Sequence, residues 1–136
     1  MRAVLDPNVL ISALLSPVGA PAQLLIAWRG GSFELIVSPA LVAELRRALN
    51  YPKLRKRIPT ADAEAFLMWL QGAAILAIDP DEGPPVHAPD PGDDYLIALA
   101  RSEEAMLVTG DRHLLGLAEQ LPIFAARDFL EQLDKG

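Results

Sequence analysis

Short apolar runs alternate along this chain with longer segments in which apolar and polar residues recur at helical spacing. The apolar runs predict five strands, with the sequences AVLD (3–6), FELIV (33–37), AILAI (74–78), MLVT (106–109) and IFAA (123–126). Because these runs are apolar throughout, we expect the strands to be buried on both faces, as they are in a parallel sheet between helices.

The segments between the strands predict helices, several of them with a clear start signal. Ser38 is a suitable N-cap for one helix, and Pro39 is a suitable first-turn residue. In a later helix the apolar positions from Phe66 to Ala73 fall on one face, where Trp69 would be a core residue or a dimer contact. The predicted helices span 8–15, 21–28, 40–49, 61–74, 93–104, 112–120 and 127–133, with a further helical turn or two at 53–58.

The alternation of strands and helices predicts an α/β fold, with three α/β/α layers around a central, mainly parallel sheet. A chain of 136 residues fits a single domain, so we expect one domain over 1–136. Residues 79–92 contain five of the twelve prolines and predict an irregular loop.

The composition is that of a globular protein, since 51% of the residues are hydrophobic. The chain has no cysteine, which excludes disulfides, thiolate metal sites and thiol nucleophiles. No apolar run approaches the roughly 20 residues of a membrane span, and the N-terminal MRAVLDPNVL does not resemble a secretory signal. We therefore expect a cytoplasmic protein with no membrane partner.

The charges are distributed unevenly along the chain, whose net charge is −6. Six of the eighteen acidic residues lie between Asp79 and Asp94. Half of the twelve basic residues lie in RRALNYPKLRKR and form what we call the basic stripe: Arg46, Arg47, Lys53, Arg55, Lys56 and Arg57. An acidic chain can therefore still present a basic surface beside an acidic pocket.

Four acidic residues occupy positions where a site of an α/β protein is expected. Asp6 ends the first strand, Asp111 ends the fourth strand, Asp94 opens a helix, and Glu44 lies inside the third helix. Strand ends and helix starts of a parallel sheet meet at the carboxyl edge of the sheet, where ligands bind. Glu44 can join them if its helix leans over that edge.

Carboxylates gathered in one place repel each other unless a cation neutralises them. Mg²⁺ and Mn²⁺ prefer oxygen ligands of this kind, and such sites activate water and stabilise charge on a phosphoryl group. Taken singly, each acid also fits a turn, a helix cap or a solvated helix surface. Their order and structural positions together favour a metal site.

The same residues carry a resemblance to the PIN domain, the fold of VapC-type toxins and of many RNA-processing nucleases. The resemblance covers essentially the whole chain, through LDPNVLISALLSP, SPALVAELRRALNYPKLR, DPGDDYLIALARSEEAMLVTGDRHLL and DFL. It extends to the bacterial branch of toxins from toxin–antitoxin pairs. The segments DPNVLISALL and DPGDD followed by VTGD are specific as a set, although TGD alone would be weak.

The resemblance implies Mg²⁺- or Mn²⁺-dependent hydrolysis of RNA phosphodiesters. It implies that Asp6, Glu44, Asp94 and Asp111 are the catalytic and metal-binding acids. Asp93 adjoins Asp94, so the third metal ligand could be either; the register of the apolar helix in DYLIALA favours Asp94.

Further residues match the family pattern around these acids. Asn8 and Thr109 match positions that hold the carboxylates by hydrogen bonds. Asp90 matches the loop pattern before the helix. The implied partners are RNA, single-stranded or structured, an antitoxin protein and a second copy of the chain in a homodimer.

The basic stripe follows Glu44 in the sequence, and we interpret it as the surface that holds RNA phosphates. The alternatives are a solvated helix face or a patch that meets an acidic partner protein.

Two other functions are compatible with parts of the pattern. The first is a degenerate PIN domain that binds RNA or serves in assembly, against which the presence of all four acids argues. The second is a phosphatase similar to the haloacid dehalogenases, which use strand-end aspartates and Mg²⁺. That family requires a second Asp two residues after the first, and this chain has Asn8 there.

Overall fold

A parallel sheet of five strands forms the centre of the protein in the computed structural model, which describes residues 1–135. The strands lie in the order β3-β2-β1-β4-β5, and every neighbouring pair is parallel. Their bounds are β1 Arg2–Leu5, β2 Glu34–Val37, β3 Ile75–Leu76, β4 Met106–Val108 and β5 Ile123–Phe124. The predicted parallel sheet is confirmed.

Helices cover the sheet and complete a three-layer α/β/α architecture, as the sequence predicts. Helix α1 packs on α2 and α3, α2 packs on α8, and α6 packs on β1 and β4. The helices of the described chain are α1 Pro7–Leu15, α2 Ala20–Arg29, α3 Pro39–Leu49, α4 Pro52–Arg55, α5 Thr60–Ala73, α6 Asp94–Ser102, α7 Arg112–Leu115 and α8 Ala126–Lys135, with a 3₁₀ turn at Pro91–Asp93.

Several elements are shorter than the sequence predicts, among them β3 and α7. Strand β3 covers two residues of the predicted 74–78, because β2 ends at Val37, which pairs with Leu76. Helix α7 ends at Leu115 instead of continuing to 120. After Gly116 the backbone hydrogen bonds change from the i−4 to the i−3 pattern, as in the bond from Leu117 N–H to the Leu114 carbonyl, so turns replace the helix.

The carboxyl ends of β1, β2 and β4 carry the buried polar side chains of residues 1–135. Asp6 follows β1, Ser38 follows β2 and Thr109 follows β4, and all three are buried. Ser38 caps α3, since its Oγ accepts a hydrogen bond from the Leu41 N–H at 3.3 Å. Strand β1 lies between β2 and β4, so the direction of winding reverses beside Asp6, where ligands of such sheets bind.

No single helix within residues 1–135 is both long enough and apolar enough to cross a membrane. Taken together, α1 and α2 have the length and composition of a membrane span that is broken by a bend of 99°. Both helices contribute to the core, with Leu10 of α1 and Leu24 of α2 fully buried.

Candidate active site

The Asp6 carboxylate is fixed at the carboxyl end of β1 by hydrogen bonds to both of its oxygens. The Asn8 N–H donates to Oδ1 at 3.0 Å, and the Thr109 hydroxyl donates to Oδ2 at 2.8 Å. The Asp6 N–H donates to the Val108 carbonyl at 2.9 Å, which continues the β1–β4 pairing to this point. Asp6 is only 5% exposed, so its carboxylate is largely shielded from solvent.

Thr109 connects Asp6 to Asp111. Its Oγ1 accepts the Asp111 N–H at 3.0 Å while its hydroxyl hydrogen is donated to Asp6. The Asp111 Oδ1 accepts hydrogen bonds from the backbone of α7, at 2.7 Å from the His113 N–H and 3.4 Å from the Leu114 N–H. The helix start thus fixes the second carboxylate, and Asp111 has the helix-cap role that the sequence analysis gave as an alternative to metal binding.

Glu44 and Asp93 approach the same edge from two helices. Glu44 lies in α3, its side chain is 43% exposed, and it forms an ion pair with Arg47. Asp93 ends the 3₁₀ turn and is the N-cap residue of α6. Burial raises the pKa of Asp93 to about 6, and the charges of Asp6, Asp90, Asp111 and Glu44 contribute to the rise.

Burial also raises the pKa of Asp6, and it is the largest influence on that group. The hydrogen bonds from the Asn8 backbone and the Thr109 hydroxyl oppose the rise. The charges of Asp111 and Glu44 add to it. Because the charges of Glu44 and Asp111 raise the pKa values of both Asp6 and Asp93, we call these four residues the acid cluster.

Asp94 is oriented differently from its neighbour. Its Oδ2 lies 2.8 Å from His87 Nδ1, and its Oδ1 accepts the Ala88 N–H at 2.7 Å. The hydrogen bonds from His87 and then Ala88 lower the pKa of Asp94. The carboxylate that the sequence analysis preferred therefore ties the proline-rich loop of residues 79–92 to α6, whereas Asp93 is the carboxylate on which the charges of Asp6, Glu44 and Asp111 act. The two neighbouring acids differ in this way because the 3₁₀ turn ends at Asp93 and α6 begins at Asp94.

The other predicted site residues lie beside Asp6 or in the basic stripe. Asn8 contributes its backbone N–H to Asp6, and its side chain is exposed. Arg46 and Arg47 of the basic stripe are paired with Glu64 and Glu44. The remaining four are exposed around α4 and form no ion pair within the described chain: Lys53, Arg55, Lys56 and Arg57.

Tyr95 and Asp79 adjoin the acid cluster but were not identified from the sequence. The Tyr95 hydroxyl is buried and has no hydrogen-bond partner within residues 1–135. Burial raises its pKa, and the charges of Asp6, Glu44, Asp93 and Asp79 raise it further, so the hydroxyl remains a potential donor. Asp79 Oδ2 accepts the Ala40 N–H at the start of α3 at 2.9 Å. The sequence signal was weak, because Tyr95 appears there as one more member of an apolar helix.

Within residues 1–135, no three carboxylate or imidazole side chains are grouped so that they could hold one ion. Convergence of four acids on one shared ion is therefore not present in this arrangement, in which Glu44 is paired with Arg47 and Asp111 with backbone amides. The donor set still suits a hard cation, because it is made of oxygen atoms and neighbouring carboxylates raise the pKa values of Asp6 and Asp93.

Comparison with known proteins identifies the family. The family model described as the PIN domain matches residues 2–113. The chain belongs to the PIN domain family. This PIN domain is 26% identical over 145 residues to the uncharacterized protein MJ1680 of Methanocaldococcus jannaschii, an alignment that covers 99% of this chain and 93% of that protein.

Solved structures have the same fold as this PIN domain. The crystal structure of PAE2754 from Pyrobaculum aerophilum superposes with a TM-score of 0.66 at 17% identity, covering 100% of this chain and 91% of that one. The structure of VapBC2 from Rickettsia felis, bound to a DNA fragment from their promoter, gives a TM-score of 0.61 at 14% identity, covering 91% and 97%. The resemblance seen in the sequence is confirmed, and PIN domains are generally nucleases that use divalent metal ions.

Thr109→Val should lower the free energy of unfolding by about 1–3 kcal/mol, because it leaves Asp6 Oδ2 and the Asp111 N–H without their partner. Urea denaturation at neutral pH in EDTA measures this change. Thr109→Ser keeps the hydroxyl and is the matched control. Equal losses in the two variants would mean that the hydroxyl does not hold the carboxylate.

Asp93→Asn should reduce the pH dependence of stability between pH 4 and 6. The pKa of Asp93 is about 6 in the folded protein and ordinarily 3.8, so the folded state binds the proton more tightly and the free energy of unfolding falls as pH rises through this window. Urea denaturation across the window in EDTA should give a smaller fall for the variant.

Asp94→Asn is the control for this measurement. The lowered pKa of Asp94 puts its own titration below the window, so this variant should keep the wild-type slope. A wild-type slope in Asp93→Asn would contradict the raised pKa of Asp93.

Proposed function

We propose that this PIN domain is a metal-dependent ribonuclease that hydrolyses RNA phosphodiesters and acts as the toxin of a toxin–antitoxin pair. The observation that supports this most directly is the acid cluster at the carboxyl edge of the sheet. Its members come from four separate parts of the chain, and their carboxylates raise the pKa values of Asp6 and Asp93. A purely structural role for these acids would not require such mutual repulsion.

The acid cluster would hold Mg²⁺ or Mn²⁺ through Asp6, Glu44, Asp93 and Asp111, with Asp93 in the position first assigned to Asp94. When bound, such an ion supplies an activated water and stabilises charge on the phosphoryl group. Asp6 and Asp111 are prepared for this role, since hydrogen bonds already fix their carboxylates. Glu44 is bonded only to Arg47 and Asp93 makes no side-chain cap bond, so their side chains can adjust.

Asp94 has a supporting role in this proposal. By holding His87 and Ala88 it fixes the end of the proline-rich loop against α6. The 3₁₀ turn that follows this loop ends at Asp93, which is the N-cap residue of α6.

The exposed part of the basic stripe binds the RNA backbone. Lys53, Arg55, Lys56 and Arg57 form no ion pair within the described chain, so their charges are available to phosphates. Arg47 lies beside Glu44 and can contact RNA only if this pair opens. Arg46 is bonded to Glu64 and contributes mainly to packing of α3 on α5.

Two protein partners complete the proposal. The solved VapBC2 pair supports an antitoxin as one of them, at the level of a shared fold. A second copy of the chain is the other. The surface on α2 and α5 supports a homodimer, since Trp69 packs on Trp28 with ring centroids 5.0 Å apart while Ile26 and Met68 remain exposed.

Asp93→Asn should reduce Mg²⁺- or Mn²⁺-dependent RNA cleavage by about a hundredfold or more, because it removes a ligand, whereas loss of a supporting residue costs about 10- to 100-fold. Cleavage of a labelled single-stranded RNA and the metal-induced rise in melting temperature are measured together. Both should decrease in Asp93→Asn.

The adjacent variant Asp94→Asn is the matched control, with the same change in charge one position along the chain. It should retain the metal-induced rise in melting temperature and more of the cleavage. The opposite ranking would assign the third ligand to Asp94. RNA binding without cleavage in the wild type would indicate a degenerate PIN module, and release of phosphate from small phosphomonoesters would indicate a phosphatase.

Replacing Arg55, Lys56 and Arg57 with Gln should weaken RNA binding and leave the metal-induced rise in melting temperature unchanged. Each phosphate contact that is lost should flatten the dependence of log affinity on log salt by about 0.7 for a single strand. The measurement is RNA affinity at several salt concentrations.

The control replaces Arg29, Arg101 and Lys135 with Gln, which changes the net charge equally. These residues lie in the last turns of α2, α6 and α8, at the opposite edge of the sheet. A slope that changes equally in both variants would mean that the stripe acts only through net charge.

A further inference from the structure

A pocket of about 350 Å³ opens directly beside the acid cluster. Thr109 and Asp111 belong to its wall, so the pocket and the acid cluster share one side. The rest of the wall comes from α1, from Pro21 of α2, from the turn after β4 and from the start of α8, and its principal residues are Asn8, Ser12, Gly110, Ala125 and Ala126. A molecule positioned at the acids can therefore extend into the pocket without crossing a barrier.

The pocket lies on the opposite side of the acid cluster from α3, the helix that carries the first two residues of the basic stripe. In the sheet order β3-β2-β1-β4-β5, the stripe follows β2 through α3, whereas the pocket is bounded by the segments that follow β4 and β5. Asp6 follows β1, between them. A chain molecule whose phosphates contact the stripe would thus cross the acids before it reaches the pocket.

Small residues keep this pocket open. A Cβ atom added at Gly110 would have no neighbour within 4 Å, so the space beside it is free of protein atoms. Gly110 does not have a positive φ, and its backbone conformation therefore does not require glycine. Pockets that bind small molecules have volumes of ~300–1,000 Å³, and the volume of this pocket is near the lower limit. It therefore suits one nucleoside rather than a longer segment of RNA.

The polar groups of the pocket suit a neutral ligand with hydrogen-bonding edges. Asn8 and Ser12 are one helical turn apart on α1, both are exposed, and no side-chain hydrogen bond occupies either group within residues 1–135. An amide offers donors and an acceptor together, the combination that pairs with the edge of a base. The Asp111 carboxylate in the wall disfavours a phosphate here.

We propose that this pocket binds the base and ribose of the nucleotide next to the scissile phosphate, with Asn8 and Ser12 contacting the edge of the base. The inference rests on the proposed ribonuclease function and adds a binding site and two selecting residues to it. A base can enter such a pocket only when it is unpaired and turned out of its stack.

The test compares an intact single-stranded oligoribonucleotide with a series in which one position at a time is an abasic ribose. For the wild type, removing the base that occupies the pocket should slow cleavage of the adjacent bond about tenfold, the effect of roughly 1.4 kcal/mol of lost interaction. Ser12→Phe fills the pocket, so this variant should cleave the intact and the abasic strands at equal rates.

Ser32→Phe is the matched control, because Ser32 is also exposed but precedes β2 at the opposite edge of the sheet. It should retain the wild-type sensitivity to the abasic position. An unchanged metal-induced rise in melting temperature in both variants would verify that the acid cluster is intact. If Ser12→Phe does not fold, Ala126→Leu fills the same pocket from α8 and has the same expected result.

Asn8→Ala tests the selection of the base, and it keeps the backbone N–H that Asp6 requires. The wild type should prefer one base at the position beside the cleaved bond, and this variant should reduce that preference. Wild-type cleavage that is insensitive to every abasic position would overturn the pocket assignment and leave the ribonuclease function standing. No cleavage of any strand would overturn the proposed function, and the pocket assignment with it.

Discussion

Asp6 brings a carboxylate into a nearly closed part of the protein, and the surrounding structure must stabilise this charge. It does so by hydrogen bonds from two directions, from the first turn of α1 and from Thr109 at the end of β4. The Thr109 bond can form only because β1 and β4 are neighbours in the sheet. The pairing of the central strands and the placement of the acid are therefore one constraint, and a change in strand register would disrupt both.

The rest of the acid cluster differs from Asp6 in how firmly it is held. Asp111 has its partners in the backbone of α7, while Glu44 is bonded to an exposed arginine and Asp93 has no side-chain cap bond. A fixed pair thus faces a more adjustable pair. In the proposed metal site, this division would let the adjustable side chains move toward a cation while the fixed pair keeps its place.

The positions that could be predicted from the sequence are those that depend on local signals. The end of an apolar run identified Asp6 and Asp111, and the Ser38–Pro39 signal located the start of the helix that carries Glu44. The choice between Asp93 and Asp94 depends on a shift of one residue in a helix start, which local patterns do not determine. Tyr95 could not be identified because its hydroxyl becomes notable only once tertiary packing has buried it.

The proline-rich loop is attached near both of its ends by carboxylates. Asp79 binds the start of α3 and Asp94 holds Ala88. The entropic cost of closing a loop rises only slowly with the length of the loop, by about 0.6 kcal/mol for each doubling. The segment between these two attachments can therefore gain or lose residues at little cost while the acids keep their places. This tolerance of insertions gives the rim of the site freedom to diversify among relatives without altering its chemistry.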